Sequence, residues 1–180
     1  MEATTSGRSK RSLRPLMQTD MDHVDKILAQ WRRERPELDA TAMGLLGRLS
    51  RLRAHLAREV ESTLADHGLN SASFDVLATL RRSGPPFRLS PGDLLGTTMV
   101  TSGTMTNRID QLEKAGLVER LDNPEDRRGV LIALTPEGLK RVDAAVTAHV
   151  ANQQRLVAGL EPDEREALDA LLRKFLAVFE

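Results

Sequence analysis

At 180 residues the chain has room for one ordinary domain with an added arm. It is 40% hydrophobic and 3% aromatic, with no Tyr and no Cys. The core must therefore be aliphatic, and thiol nucleophiles, thiol redox switches, disulfides and cysteine zinc sites are excluded. Lys+Arg and Asp+Glu both number 26, a formal net charge of +0. That total argues mildly against nucleic-acid binding, but a local patch suffices, so position must decide.

Residues 1–19 begin MEATTSGRSKRSLRPL. The stretch is basic and lacks an apolar core, so it reads as a disordered basic tail and not as a secretory signal. No apolar run in the chain approaches the roughly 20 residues of a membrane span, and no membrane partner is expected. Asp20 to Arg33 reads as a first helix, capped by Asp20 or Asp22, with Val24, Ile27, Leu28 and Trp31 at helical spacing. Pro36 stops it. A longer helix runs from Ala40 to Asp66. Leu45, Leu49, Leu52, Leu56, Val60 and Leu64 form its stripe, and Gly68 fits a C-terminal cap. Ser71 is expected to cap a third helix containing Phe74, Leu77 and Leu80. The prolines of SGPP, residues 83–86, break it.

Ser90-Pro91 starts a short helix with Pro at its first position, ending near Leu95. After a turn, Thr101 is expected to cap the next helix and Gly116 to end it. Leu117–Leu121 and Val130–Leu134 are short apolar runs on either side of DNPEDRRG, which reads as a hairpin. Thr135-Pro136-Glu137 starts a helix bearing Leu139, Val142, Val146 and Val150. Pro162-Asp163 opens the last, with Leu168, Leu171, Leu172, Phe175 and Phe179. There is no internal repeat.

Short helix, turn, helix and hairpin form a winged helix-turn-helix. The expected fold is mainly α with a small β-wing. Residues 20–39 are an extra N-terminal helix, and residues 40–180 form one domain, with the winged helix at about 70–134. The apolar stripes of residues 40–67 and 136–180 exceed what so small a domain covers. They point to homodimerisation through the N- and C-terminal helices.

In the helix 101–115, at about 100° per residue, Met105, Ile109 and Leu112 share one stripe. Asn107, Thr104 and Gln111 lie opposite, and Thr106 on the flank. A carboxamide can pair with adenine in the major groove, and Ser102, Thr104 and Thr106 can donate to phosphates. The outer face of an ordinary amphipathic helix is usually built from Glu, Lys and Arg; SGTMTN carries no charge. Arg108 falls beside the buried stripe, so its guanidinium needs an inward partner or an anion. The hairpin tip carries Glu125, Asp126, Arg127 and Arg128. A turn arginine can enter a minor groove, with Asp126 steadying it; a solvated turn would look the same in isolation. The four histidines are scattered and no HExxH spacing occurs, so no catalytic residue, metal or cofactor is assigned, and an enzyme is not expected.

GTMTNRIDQLEKAGLVER followed by NPEDRRGVLIALTPEG resembles the MarR family of bacterial transcriptional regulators, over roughly Thr41 to Glu180. The resemblance implies a cytoplasmic, homodimeric winged-helix repressor of double-stranded DNA that a small ligand releases. VDKILAQWRRERPELD and GLNSASFDVL narrow the likeness to the urate-responsive, PecS-like branch. There a Trp on the extra helix, an Asp before the turn and an Arg on the recognition helix line the ligand pocket. The matching positions are Trp31, Asp75 and Arg108, and Arg120 matches the branch's signal-path arginine, a candidate partner for Asp75. The implied effector is urate or a related planar anion. Because Arg32, Arg33 and Arg35 flank Trp31, a polycarboxylate is the alternative. A winged-helix module that contacts proteins instead of DNA is a further one.

Overall fold

The computed structural model describes residues 21–97, 102–124 and 129–180, with the side chains of 97 and 102–104 outside that description. The basic tail, Asp20, the expected cap Thr101 and the tip residues Glu125, Asp126, Arg127 and Arg128 lie outside the described residues. The element order is α1 (His23–Glu34), α2 (Thr41–Ala65), α3 (Ser71–Arg82), β1 (Arg88–Leu89), α4 (Pro91–Thr97), α5 (Ser102–Lys114), β2 (Val118–Asp122), β3 (Val130–Leu134), α6 (Pro136–Leu156) and α7 (Pro162–Leu176). None of the described helices is long and apolar enough to cross a membrane.

The described residues divide into two compact units, residues 21–49 with 156–180, and residues 50–155. In the first, Asp22 caps α1 and forms a reciprocal capping box with Asp25, satisfying two backbone donors at the helix start. Val24 and Leu28 are buried where α1 meets α2. Two glycines allow that approach: a Cβ on Gly44 would stand 2.9 Å from Leu28 Cδ1, and one on Gly47 3.4 Å from Val24 Cγ1. Arg48 adds ion pairs to Asp22 and Asp25. The apolar face of α7 is open, with Leu171 at 65% and Phe179 beyond its end at 73% exposure.

In the second unit, Leu64, Val76, Leu77, Leu80, Leu94, Met105, Ile109, Leu112, Leu117, Ile132 and Val142 belong to one buried cluster. Each such side chain removed from water stabilises by roughly 1.5–3 kcal/mol. Only the end of the α2 stripe joins it: Leu64 is fully buried, whereas Leu45 and Leu52 are exposed. Gly116, at φ 69°, closes α5 in the left-handed conformation that glycine adopts without steric cost.

Three expectations need correction. Asn70, not Ser71, caps α3, its carboxamide oxygen accepting from the Ser73 N–H at 2.9 Å. The Ser71 N–H is taken instead by Glu61. The sheet has three strands in the order β1-β3-β2, all antiparallel. The two-residue β1 is too short to show an alternating pattern. It pairs Arg88 with Ala133 and Leu89 with Ile132. The short helix α4 runs to Thr97, a half-turn beyond Leu95.

Candidate functional site

The surface that can meet a polymer is built by α5 and the wing. Met105, Ile109 and Leu112 are each 3% exposed, so the apolar stripe is spent on the core and the rotation of the helix is fixed. Thr106, Asn107 and Gln111 then face outward and are exposed, as their spacing demands. Ser102 and Thr104 belong to the same helix by backbone.

The wing stands directly after this helix. Val118 to Asp122 pair in register with Leu134 to Val130, and Asn123 donates to Gly129 O at 3.0 Å to close the ladder. Arg120 on β2 reaches back to α5, where Asp110 and Glu113 receive its two terminal nitrogens. The hydrogen bond to Asp110, above all, holds the guanidinium more firmly charged than usual. The carboxylates engaging Arg120 thus come from the recognition helix. Asp75 lies on α3, half-buried, its backbone carbonyl accepting from Thr79 at 2.7 Å.

Arg108 turns inward as its position requires. Its Nη1 donates to Asn70 Oδ1 at 3.2 Å, to Ser73 Oγ at 3.3 Å and to Gln111 Oε1 at 3.3 Å. Its Nε is buried and finds no hydrogen-bond partner among the described residues. A guanidinium N–H without a partner leaves a desolvated donor, which an anionic oxygen would satisfy with a charge-assisted bond. The neutral partners Asn70 and Ser73 were not foreseen from sequence. The polar start of α3, LNSAS, was the available signal.

Trp31, 39% exposed, sits near the end of α1 in the first unit, and Asp75 and Arg108 belong to the second. Arg108 is brought to the first turn of α3, the helix that carries Asp75. Two hollows lie within the second unit. One of about 540 Å³ lies at the wing base among Arg88, Ser90, Asp93, Asn123 and Val130. The other, about 420 Å³, lies among His67, Glu137, Lys140 and Arg141. Neither is lined by Asp75 or Arg108, so neither corresponds to the ligand residues drawn from sequence. No cluster of metal-ligating side chains occurs among the described residues.

The MarR family model matches residues 69–130, the span from the α3 cap to the first residue of β3. The chain is 38% identical over 149 residues to the HTH-type transcriptional regulator PecS of Dickeya dadantii, covering 83% of this chain and 90% of that one. Its fold is similar to that of a mutant Escherichia coli MarR complexed with operator DNA. There the TM-score is 0.65 at 30% identity, with 81% of this chain and 97% of that one covered. It is similar also to Bordetella bronchiseptica BpsR, whose DNA binding is regulated by 6-hydroxynicotinic acid; the TM-score is 0.65 at 32% identity, covering 77% and 95%. Such proteins regulate transcription and are not enzymes. With a buried α5 stripe, a polar outer face, a three-stranded wing and these relatives, the chain belongs to the MarR family of DNA-binding, winged-helix transcriptional regulators.

Proposed function

We propose that the protein is a homodimeric repressor that binds a pseudo-palindromic operator, with half-sites about one helical turn apart, and is released by a small planar anion. The observation that carries the DNA reading is the exposure of Thr106, Asn107 and Gln111 on α5, with Asn107 and Gln111 set opposite the buried stripe. Arg127 and Arg128 at the wing tip contact the minor groove, and Ser102 and Thr104 the phosphates. Residues 40–67 and 136–180 supply the dimer interface, for which the open apolar faces of α2 and α7 are suited.

Arg108 is the anion-binding residue, with Trp31 as the stacking surface and Asp75 as the charge that an arriving anion repels. The buried Nε of Arg108 supports this assignment, and urate or a related purine fits the chemistry. Regulation of the relative BpsR by a planar heteroaromatic acid favours the same class of effector. The ligand must bind the DNA-free conformer better, since only differential affinity shifts a population. A polycarboxylate held by Arg32, Arg33 and Arg35 beside Trp31 is the second reading.

A gel-shift titration on the DNA flanking the protein's own gene, at fixed salt with and without urate, tests this. Tight binding lost on adding urate is the expected result. Binding indifferent to urate keeps the repressor and directs the search to polycarboxylates. Absence of binding by a dimeric sample would leave the protein-contact module.

A further inference from the structure

A chain with 26 basic and 26 acidic residues must meet a polyanion through local positive charge. In the second unit Arg81, Arg120, Arg141 and Arg155 are already ion-paired, to Asp143, to Asp110 and Glu113, to Glu137 and to Glu59. Arg88 is not. It is exposed, and its side chain takes part in no hydrogen bond or ion pair among the described residues.

Register explains why. Arg88 on β1 stands opposite Ala133, and Arg120 on β2 opposite Ile132. Successive residues of a strand face opposite sides of the sheet, so the two arginines leave the wing by opposite faces. Arg120 takes the side of α5 and its carboxylates. Arg88 takes the other, beside an alanine; Glu119, in the same row, is two strands away, roughly 10 Å. Arg88 also lines the hollow of about 540 Å³. Asn123 and Pro124 line it from one side of the wing tip, Gly129 and Val130 from the other. Arg88 is the one basic residue among the described residues of that lining. Its one acid, Asp93, is held by the Ser90 hydroxyl at 2.7 Å.

We propose that Arg88 is a DNA-backbone contact, its guanidinium taking a phosphate on the border of the minor groove beside the wing tip. The inference rests on the proposal that the tip enters that groove. The minor groove is about 6 Å wide, so a tip seated in it has phosphates close on either side, and the hollow receives one of them. The forked N–H donors of a guanidinium match two phosphate oxygens at once. Such a contact carries no base information. It fixes how deeply the wing sits, and with it the register of α5 in the neighbouring major groove.

The test uses the full-length chain, a duplex from the DNA flanking the protein's own gene and a random-sequence duplex of the same length, in anisotropy titrations over a range of salt. Absence of any wild-type binding overturns the DNA-binding reading and this inference with it. Arg88→Gln is expected to bind both duplexes more weakly, by roughly three- to tenfold per protomer bound. The slope of log K against log salt should fall by about one per protomer. Tm should not change, because the side chain has no partner to lose; a lowered Tm would make the loss structural and overturn the proposal. Loss on the flanking duplex alone would mark a base contact, and unchanged affinity and slope no contact. Either result overturns the proposal and leaves the DNA-binding reading in place. Arg88→Lys is expected to keep the wild-type slope; a slope as shallow as that of Arg88→Gln would show that charge is not what Arg88 contributes.

Methylphosphonate linkages, introduced one at a time into the bound duplex, locate the contact. One neutral linkage per half-site, bordering the minor groove, is expected to weaken the wild type several-fold and to leave Arg88→Gln within about twofold. The same profile for both proteins overturns the assignment.

Discussion

The carboxamide oxygen of Asn70 lies 3.2 Å from Nη1 of Arg108, so the cap of α3 also holds the recognition helix. The same oxygen accepts from Ser73 N at 2.9 Å. One atom caps the start of α3 and anchors α5.

Asn70→Ala removes both contacts. Loss of an N-cap costs about 1 kcal/mol, which lowers Tm by a few degrees in calorimetry at fixed protein concentration, while Asn70→Asp keeps the cap and restores Tm. An Asn70→Ala protein that melts with the wild type would show that the cap contributes nothing.

Among the glycines whose surroundings the structure describes, Gly138 is the least tolerant of a side chain. A Cβ there would lie 1.9 Å from Leu117 O and 2.8 Å from Leu117 C, both backbone atoms. Neither can swing aside as a side-chain end can. Overpacking of this kind costs roughly 1–3 kcal/mol or more, so Gly138→Ala should shift the urea midpoint markedly. An unchanged midpoint would mean that α6 and the start of β2 separate freely.

Arg120→Met breaks the pairs to Asp110 and Glu113. These groups are partly exposed, and such pairs contribute about 0–1 kcal/mol each, so Tm should change little. Operator affinity should fall several-fold because α5 and the wing lose their direct tie. A large fall in Tm with unchanged affinity would make the pair structural only.

Asp22 carries a pH signature. The backbone N–H of Asp25, followed by Arg48, holds its carboxyl below the ordinary 3.8. A depressed carboxyl stabilises above its unfolded pKa, and that contribution is lost as pH falls through the folded value. Docking of α1 should therefore weaken only below about pH 4, read by the emission of Trp31, the one Trp of the chain. In Arg48→Met the transition should move to higher pH; a shift to lower pH would contradict the sign.

Trp31→Ala should leave operator affinity unchanged and raise the urate concentration needed for release about three- to tenfold, the scale of an aromatic stacking contact. Release at the wild-type concentration would reduce Trp31 to a plug between helices.

The helical part of the fold was legible because its apolar residues recur at helical spacing. Met105, Ile109 and Leu112 fix the rotation of α5 by their spacing alone, and the outward set Thr104, Asn107 and Gln111, with Thr106 on the flank, follows from it. What escaped depends on contacts that no local pattern encodes. The strand β1 has two residues and exists because β3 offers it an edge. Asn70 and Ser71 are both good caps, and the structure gives the role to Asn70, whose backbone is extended and whose side chain accepts from Ser73 N. Arg108 was placed correctly as inward-facing, but two of its three partners come from residues 35 and 38 positions away. Asp110 and Glu113 acquire their partner only because β2 brings Arg120 beside them.

The strand order β1-β3-β2 also divides the wing mechanically. β3 is bonded on both edges, and Leu134 donates further to Phe87 O at 3.1 Å, so it serves as a keel whose amide protons should exchange last. β2 has only β3 to hold it within the sheet, and it is the strand that Arg120 fastens to α5. A push on the recognition helix would therefore travel along the outer rail of the wing while the inner rail stayed still, and the hairpin would shear instead of swinging.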